Sequence, residues 1–244
     1  MSRLKLSVIV PAFNEEKLIA GSLAAIRDSM QAAGLTDSQW ELRVCDNASD
    51  DATARIAAAA GAIVVYEAQR QISVARNSGA ADATGEWLLF VDADTTPGAA
   101  LVCATRRLME SEHCCGGGAL VDSTGLSAPT RVLVGIWNTF SRIFGFACGA
   151  YVFCRHDAFT DLEGFSVDMY AAEELDFSWR LRQWGREHGK RFVVITNARL
   201  LTSMRKLDLY TPWEILSTFL RVVLNPTRSL KGRQLLDHWY DGRR

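Results

Sequence analysis

Gly85-Glu86-Trp87-Leu88-Leu89-Phe90-Val91-Asp92-Ala93-Asp94 is an apolar run of strand length that ends in two carboxylates separated by an alanine. Bulky apolar and aromatic residues in a run this short predict a β-strand. Outward from it lie three similar runs, Leu6-Ser7-Val8-Ile9-Val10, Trp40 to Cys45 and Ala62 to Tyr66, each followed by a polar turn. Between the runs, Glu15 to Ala32, Asp50 to Ala60 and Ile72 to Ala83 carry apolar residues at spacings of three and four, which predicts helices. This alternation implies an α/β protein with a mostly parallel sheet covered by helices.

Local signals punctuate the pattern. Ser49, followed by Asp50 and Asp51, is expected to cap the second helix and supply an acidic first turn, and Gly34 and Gly61 are expected to end helices. After Val91 the rhythm stops: Pro97 can open a helix, Gly116-Gly117-Gly118 permits unusual backbone angles, and a long segment reaches Cys154. A further helix is expected from Ala171 to His188 and a strand from Arg191 to Ile195. Tyr210 to Trp239 reads as two amphipathic helices parted at Asn225-Pro226.

The chain has 244 residues, 48% hydrophobic and 23% charged, which is the profile of a globular protein and excludes a disordered one. A net charge of -1 supplies no long-range cationic field and argues against nucleic acid as a partner. Six cysteines without CxxC spacing are expected as buried free thiols. With no leader before the first strand, they fit a reducing cytoplasmic compartment. The longest apolar stretch, Val132 to Phe153, is interrupted by Asn138, Arg142 and glycines and is not read as a membrane span. Within it, Val132 to Phe146 is expected to be core or a dimer interface ahead of an acceptor groove. Arg221, Arg228, Lys231, Arg233, Arg243 and Arg244 beside Trp213, Phe219 and Leu220 would suit an anionic membrane surface, although solvated helix faces are the commoner origin of such a mix.

Open α/β sheets bind ligands at the carboxyl ends of their strands. Here those ends are acidic: Pro11-Ala12-Phe13-Asn14-Glu15-Glu16, Asp46-Asn47-Ala48-Ser49-Asp50-Asp51 and Asp92-Ala93-Asp94. Neither GxxxxGK[ST] nor GxGxxG is present, which weighs against P-loop and NAD-binding readings. Asp92 and Asp94, with Ala93 pointing elsewhere, suit Mg²⁺ or Mn²⁺, which takes one or two protein carboxylates and completes its shell with water and phosphate. A nucleoside diphosphate fits that chemistry.

The order Val8-Ile9-Val10-Pro11-Ala12-Phe13-Asn14-Glu15-Glu16, Asp46 to Thr53, Ala75-Arg76-Asn77-Ser78-Gly79 and Gly85 to Asp94 resembles the family 2 glycosyltransferases. The resemblance runs on through Cys148-Gly149-Ala150, Gly164-Phe165 and Glu173-Glu174-Leu175-Asp176, so it covers about residues 6 to 195, and more loosely Thr202 to Lys206. It implies a GT-A type fold: a Rossmann-like, mostly parallel sheet flanked by helices, with C-terminal amphipathic helices. A domain over 1–200 would divide into a nucleotide-binding half, about 1–95, and an acceptor half, about 96–200. Residues 201–244 would be its helical extension.

The resemblance also implies roles. Pro11, Phe13, Glu15 and Asp46 would cradle the nucleoside, and Arg76 would lie near the nucleotide or its phosphates. Asp92 and Ala93 would meet the donor, Asp94 would ligate the metal directly, and Asp92 would reach the sugar, the ribose or the metal through water. Glu174 would be the general base, with Glu173 the competing candidate because the family usually shows Glu-Asp here. Asp176 would be structural or acceptor-side. Gln71 replaces a common glycine, so that loop is expected to be less tight. No histidine stands near Thr202 to Lys206, where Arg205 and Lys206 could neutralise the diphosphate instead; His113, His156, His188 and His238 receive no role.

The implied activity is transfer of a sugar, with inversion and a divalent metal (Mn²⁺ or Mg²⁺), from a nucleoside diphosphate-sugar to a hydroxyl acceptor. That acceptor is a saccharide or a lipid-linked molecule. A non-catalytic nucleotide-sugar binder or partner subunit stays open as an alternative, and a nucleotidyltransferase behind it. Peripheral contact at the inner face of the membrane and a homodimer also stay open.

Overall fold

The computed structural model describes residues 5–169 and 172–202. Strands and helices alternate through β1 (Leu6–Ala12), α1 (Ile19–Ala32), β2 (Trp40–Asp46), α2 (Thr53–Ala59), β3 (Ile63–Tyr66), α3 (Ile72–Ala80) and β4 (Trp87–Val91). There follow β5 (Thr95–Thr96), α4 (Ala99–Met109), β6 (Cys114–Val121), α5 (Ala128–Phe144), β7 (Tyr151–Arg155), α6 (His156–Asp161), α7 (Glu173–Glu187) and β8 (Arg191–Thr202). The strands form one eight-stranded sheet in the order β3-β2-β1-β4-β7-β6-β8-β5. Four neighbouring pairs run parallel and three antiparallel.

Side chains alternate across the sheet, as the pleat requires. On one face Val8, Val10, Leu89 and Val91 pack with Leu23 and Ile26 of α1 and Leu101 of α4. On the other, Ile9, Leu88 and Phe90 pack with Ala80 of α3, Phe159 of α6, and Phe177 and Leu181 of α7. Both faces are therefore covered, which is why β4 is a continuous apolar run. Gly34 and Gly61 leave α1 and α2 at φ +76°, the left-handed conformation that favours glycine after a helix.

Two sequence expectations are corrected here, the Ser49 cap and the core reading of Val132 to Phe146. Ser49 does not cap α2, which starts at Thr53 with no side-chain cap, because the Ser49 hydroxyl instead accepts the Asn14 N–H at 2.9 Å. The Gly116–Gly118 run lies in the middle of β6, with Gly116 at φ 157°. A Cβ on Gly117 would stand 1.9 Å from the Val193 carbonyl oxygen, so glycine is what allows β6 to approach β8. Val132 to Phe146 is not core: it forms most of α5, whose Val132, Ile136, Ile143 and Phe144 are 50% to 68% exposed. All six cysteines are free thiols, four of them buried. Among the described residues no helix is long and apolar enough to cross a membrane. The tail helices expected from Tyr210 to Trp239 lie outside the described residues.

Gly117→Ala is expected to lower the unfolding free energy by about 1–3 kcal/mol, because backbone must shift to admit the methyl group. Urea denaturation checks this; a loss under about 0.5 kcal/mol, the range of surface substitutions, would show that the two strands part without cost.

Candidate functional site

Because β1, β2 and β4 are parallel, their carboxyl ends share one edge of the sheet, with Ala12 in register with Asp46. The antiparallel β7 delivers its preceding residues to the same edge. Val91 pairs with Tyr151, and the Asp92 N–H donates to the Ala150 carbonyl at 3.3 Å. Acidic turns and the Cys148-Gly149-Ala150 segment thereby face one another.

The turns after β1 and β2 lock together. The Glu15 N–H donates to the Thr53 hydroxyl at 2.7 Å, the Glu16 N–H to Asp51 at 3.1 Å, and the Asp50 N–H to the Asn14 side-chain oxygen at 2.8 Å. Asp51 and Thr53 thus join the two turns. Pro11 is buried within β1, and Phe13 is partly exposed, with the Arg70 guanidinium 4.7 Å from its ring centroid. Asp46 ends β2 buried, and its Oδ1 has no hydrogen-bond partner among the described residues. A buried acceptor costs free energy until a donor reaches it, so this oxygen is a ready place for a ligand N–H or hydroxyl.

Gln71 makes the loop before α3 firmer than expected. It is buried, and its side-chain amide donates to the carbonyls of Val167 at 2.7 Å and Met169 at 3.0 Å. One helical turn on, Arg76 is fully enclosed. Its guanidinium donates to Glu173 at 2.5 Å, to Asp92 at 3.0 Å and to the Gly149 carbonyl at 2.8 Å. Arg76 is thus engaged with protein carboxylates, whose negative charge holds the guanidinium protonated.

Asp92 and Asp94 are partly exposed while Ala93 between them is buried in the core, so the strand end presents its two carboxylates away from the alanine. Among the described residues no group of three or more His, Cys, Asp or Glu gathers as a metal set. Two strand-end carboxylates fit Mg²⁺ or Mn²⁺, which fills its shell with water and phosphate, better than Zn²⁺, which takes three or four protein ligands. Asp92 also carries Arg76.

The first turn of α7 follows Ala172, which sits at φ 58° and ψ 23°. A non-glycine residue in this region stores strain, and such residues gather at functional sites. Glu173 turns into the protein toward Arg76, and Glu174 lies beside Gly149, where an added Cβ would come within 3.3 Å of both the Glu174 carboxyl carbon and Arg76. Burial first, and the neighbouring Glu173 carboxylate second, push the Glu174 carboxyl up to about 8. Glu174 is therefore suited to taking up a proton near neutral pH, whereas Glu173 is committed to an ion pair. Asp176 bonds Arg180 at 2.7 Å, and Arg180 holds the Leu162 and Gly164 carbonyls, so Asp176 serves structure.

Two residues given no role by the sequence reading prove to matter. Gly149 is the close approach that lets Arg76 and Glu174 converge. Asn77, next to Arg76, exchanges two hydrogen bonds with the Phe165 backbone at 2.8 and 2.9 Å and so ties the Gly164-Phe165 turn to α3. Both stand inside stretches that carry the family resemblance, Cys148-Gly149-Ala150 and Ala75 to Gly79, which give no hint of the partner. Arg205 and Lys206 lie outside the described residues.

Residues 7–152 match the model of glycosyl transferase family 2. Over 95 residues the chain is 36% identical to a TPR repeat-containing protein of Synechococcus elongatus, a match covering 38% of this chain and 21% of that one. Among solved structures, a mannosyltransferase from Pyrobaculum calidifontis in complex with GDP-Man and Mn²⁺ superposes with a TM-score of 0.67 at 19% identity, covering 89% of this chain and 61% of that one. TarS 1-349 from S. aureus in complex with UDP-GlcNAc gives 0.65 at 18% identity, covering 99% and 74%. Glucosyl-3-phosphoglycerate synthase from Mycobacterium tuberculosis, with Mn²⁺, UDP and glucosyl-3-phosphoglycerate, gives 0.58 at 19%, covering 98% and 79%. The chain spans about a fifth of the curated relative and less than two thirds of the mannosyltransferase. At these identities the structures establish a common fold.

Proposed function

The chain belongs to glycosyl transferase family 2 and has the GT-A fold, and from that premise we propose that it transfers a sugar from a nucleoside diphosphate to an acceptor hydroxyl, with inversion. The observation that carries this reading is the meeting at one sheet edge of a carboxyl poised to take a proton, Glu174, with the strand-end pair Asp92 and Asp94. Asp46 accepts from the base, and the turns around Phe13 and Glu15 frame the nucleoside. The complexes of the solved relatives with GDP-Man, UDP-GlcNAc and UDP support a donor of this class.

Glu174 takes the acceptor proton as the hydroxyl attacks the anomeric carbon, and general-base assistance of this kind contributes about 10²–10⁴-fold. Arg76 holds Glu173 and Asp92 in place and so shapes the cavity in which Glu174 acts. Asp94, with Asp92, would hold Mg²⁺ or Mn²⁺; when bound, the cation supplies positive charge to the departing diphosphate.

The test is a thermal-shift panel of UDP, GDP, TDP and CDP, each with and without Mn²⁺, on the native chain and on Asp94→Ala. At a hundredfold excess over Kd a ligand of the native state adds about 2.7 kcal/mol, which for a domain of this size raises Tm by about 5–10 °C. A metal-dependent rise for one nucleotide, lost in Asp94→Ala, is the expected result and names the base. No rise with any nucleotide would overturn the donor site and bring forward a binding-incompetent partner subunit.

A further inference from the structure

We propose that the outward face of α5 is a docking surface for an anionic lipid bilayer. The helix is apolar on more than its inward side. That inward side is mixed: Asn138 accepts the Val121 N–H at 3.0 Å and donates to the Val121 carbonyl at 2.9 Å, Thr130, Val134 and Ser141 are buried, and Leu133 and Trp137 are half-buried. Its outward side carries Val132, Ile136, Ile143 and Phe144, with Phe140 between them, at spacings of three and four. An amphipathic helix ordinarily turns such a stripe toward the core. Here it faces away, along a helix of 17 residues, about 25 Å long at 1.5 Å per residue.

Charge selects the occupant. The helix contains no Asp or Glu, whereas Arg131 and Arg142 flank the stripe in exposed positions, and Arg142 shares a shallow recess with Arg199 of β8. Arg182 donates to the Phe144 carbonyl at the helix end. An apolar face rimmed by guanidinium groups matches the headgroup boundary of an anionic bilayer, where such helices lie in the plane of the surface. The segment 203–244 is the competing occupant and matches less well. It carries eight Lys and Arg against four Asp and Glu, hence net +4, beside a helix that is itself +2. A bilayer complements both at once.

The placement also bears on the reaction. Phe144 precedes Gly149 by five residues, a separation of at most about 18 Å even in fully extended chain. A bilayer on α5 would therefore lie close to the edge where Glu174 and Arg76 meet Gly149, which favours an acceptor hydroxyl carried on a lipid.

Co-sedimentation of the full chain with phosphatidylcholine vesicles, with and without phosphatidylglycerol, tests the surface without relying on activity. The native chain is expected to sediment with the mixed vesicles and much less with phosphatidylcholine alone. Ile136→Asp/Ile143→Asp is expected to lower binding about tenfold or more, and Arg131→Glu/Arg142→Glu to remove the preference for phosphatidylglycerol. Both variants alter exposed side chains, so unchanged melting and nucleotide shifts confirm an intact fold and donor site, and keep this test separate from the donor test. Equal sedimentation of native and Ile136→Asp/Ile143→Asp chains, or no sedimentation at all, overturns the proposal. So does a solution dimer that the isoleucine variant dissociates, which gives the face to a second copy. A marked drop in melting temperature in that variant also overturns it and gives the face to residues 203–244.

Discussion

Glu174→Gln is expected to lower kcat by about 10²–10⁴-fold while nucleotide-induced stabilisation stays within a factor of two of native. The amide keeps the shape of the carboxyl and cannot accept the acceptor's proton. The pH profile gives the sharper reading. With its carboxyl pushed up to about 8, Glu174 is mostly protonated at neutral pH in the free protein, so kcat/KM of the native chain should climb with pH through about 8. In Glu174→Gln that limb should vanish. Stability should move the opposite way. A carboxyl whose folded value stands above its ordinary 4.5 contributes stability that is fully present below that value and is lost as pH rises through about 8. Native and Glu174→Gln chains should therefore unfold at similar urea concentrations in acid, and the variant should become the more stable of the two as pH rises toward and past 8. Retention of activity within tenfold would remove Glu174 as the base.

Arg76→Leu is expected to cost about 3–5 kcal/mol of unfolding free energy, the usual result of removing one member of a buried ion pair. Most of that loss falls on Glu173, whose side chain is 5% exposed; Asp92, at 32%, keeps some contact with water and contributes less. Urea denaturation measures the loss, and a change under about 1 kcal/mol would show that the carboxylates find other partners. Arg76 also opposes the rise at Glu174. The rising limb of kcat/KM should therefore move to higher pH in whatever Arg76→Leu protein remains folded. A role confined to holding the fold would leave that limb in place.

Much of the fold over residues 6–95 was legible because its signals are local. The runs from Leu6, Trp40 and Trp87 became β1, β2 and β4 nearly residue for residue, and β4, buried on both faces, is apolar throughout. Asp92 and Asp94 follow β4 in a turn closed by the Thr95 N–H, which donates to the Asp92 carbonyl at 3.0 Å, so their placement comes from that turn and not from strand alternation. Ser49 shows the limit: as a helix cap it has the right chemistry, yet the Asn14 N–H, 35 positions away, claims its hydroxyl.

Residue types and their spacing along the chain thus settled the βαβ order, the acidic strand ends and the presence of two adjacent glutamates at the start of α7. Folding in three dimensions settled which glutamate is available. Arg76 and Glu173 are 97 positions apart, and their contact exists because α3 and α7 pack on the same face of the sheet, close to the Gly149 turn that precedes the antiparallel β7. The same holds for α5, whose apolar stripe reads from the sequence as core or a dimer interface. Two hydrogen bonds between Asn138 and the Val121 backbone turn that stripe outward. A periodic pattern fixes which residues share a face; whether that face meets protein or solvent depends on the partners that distant segments bring to it.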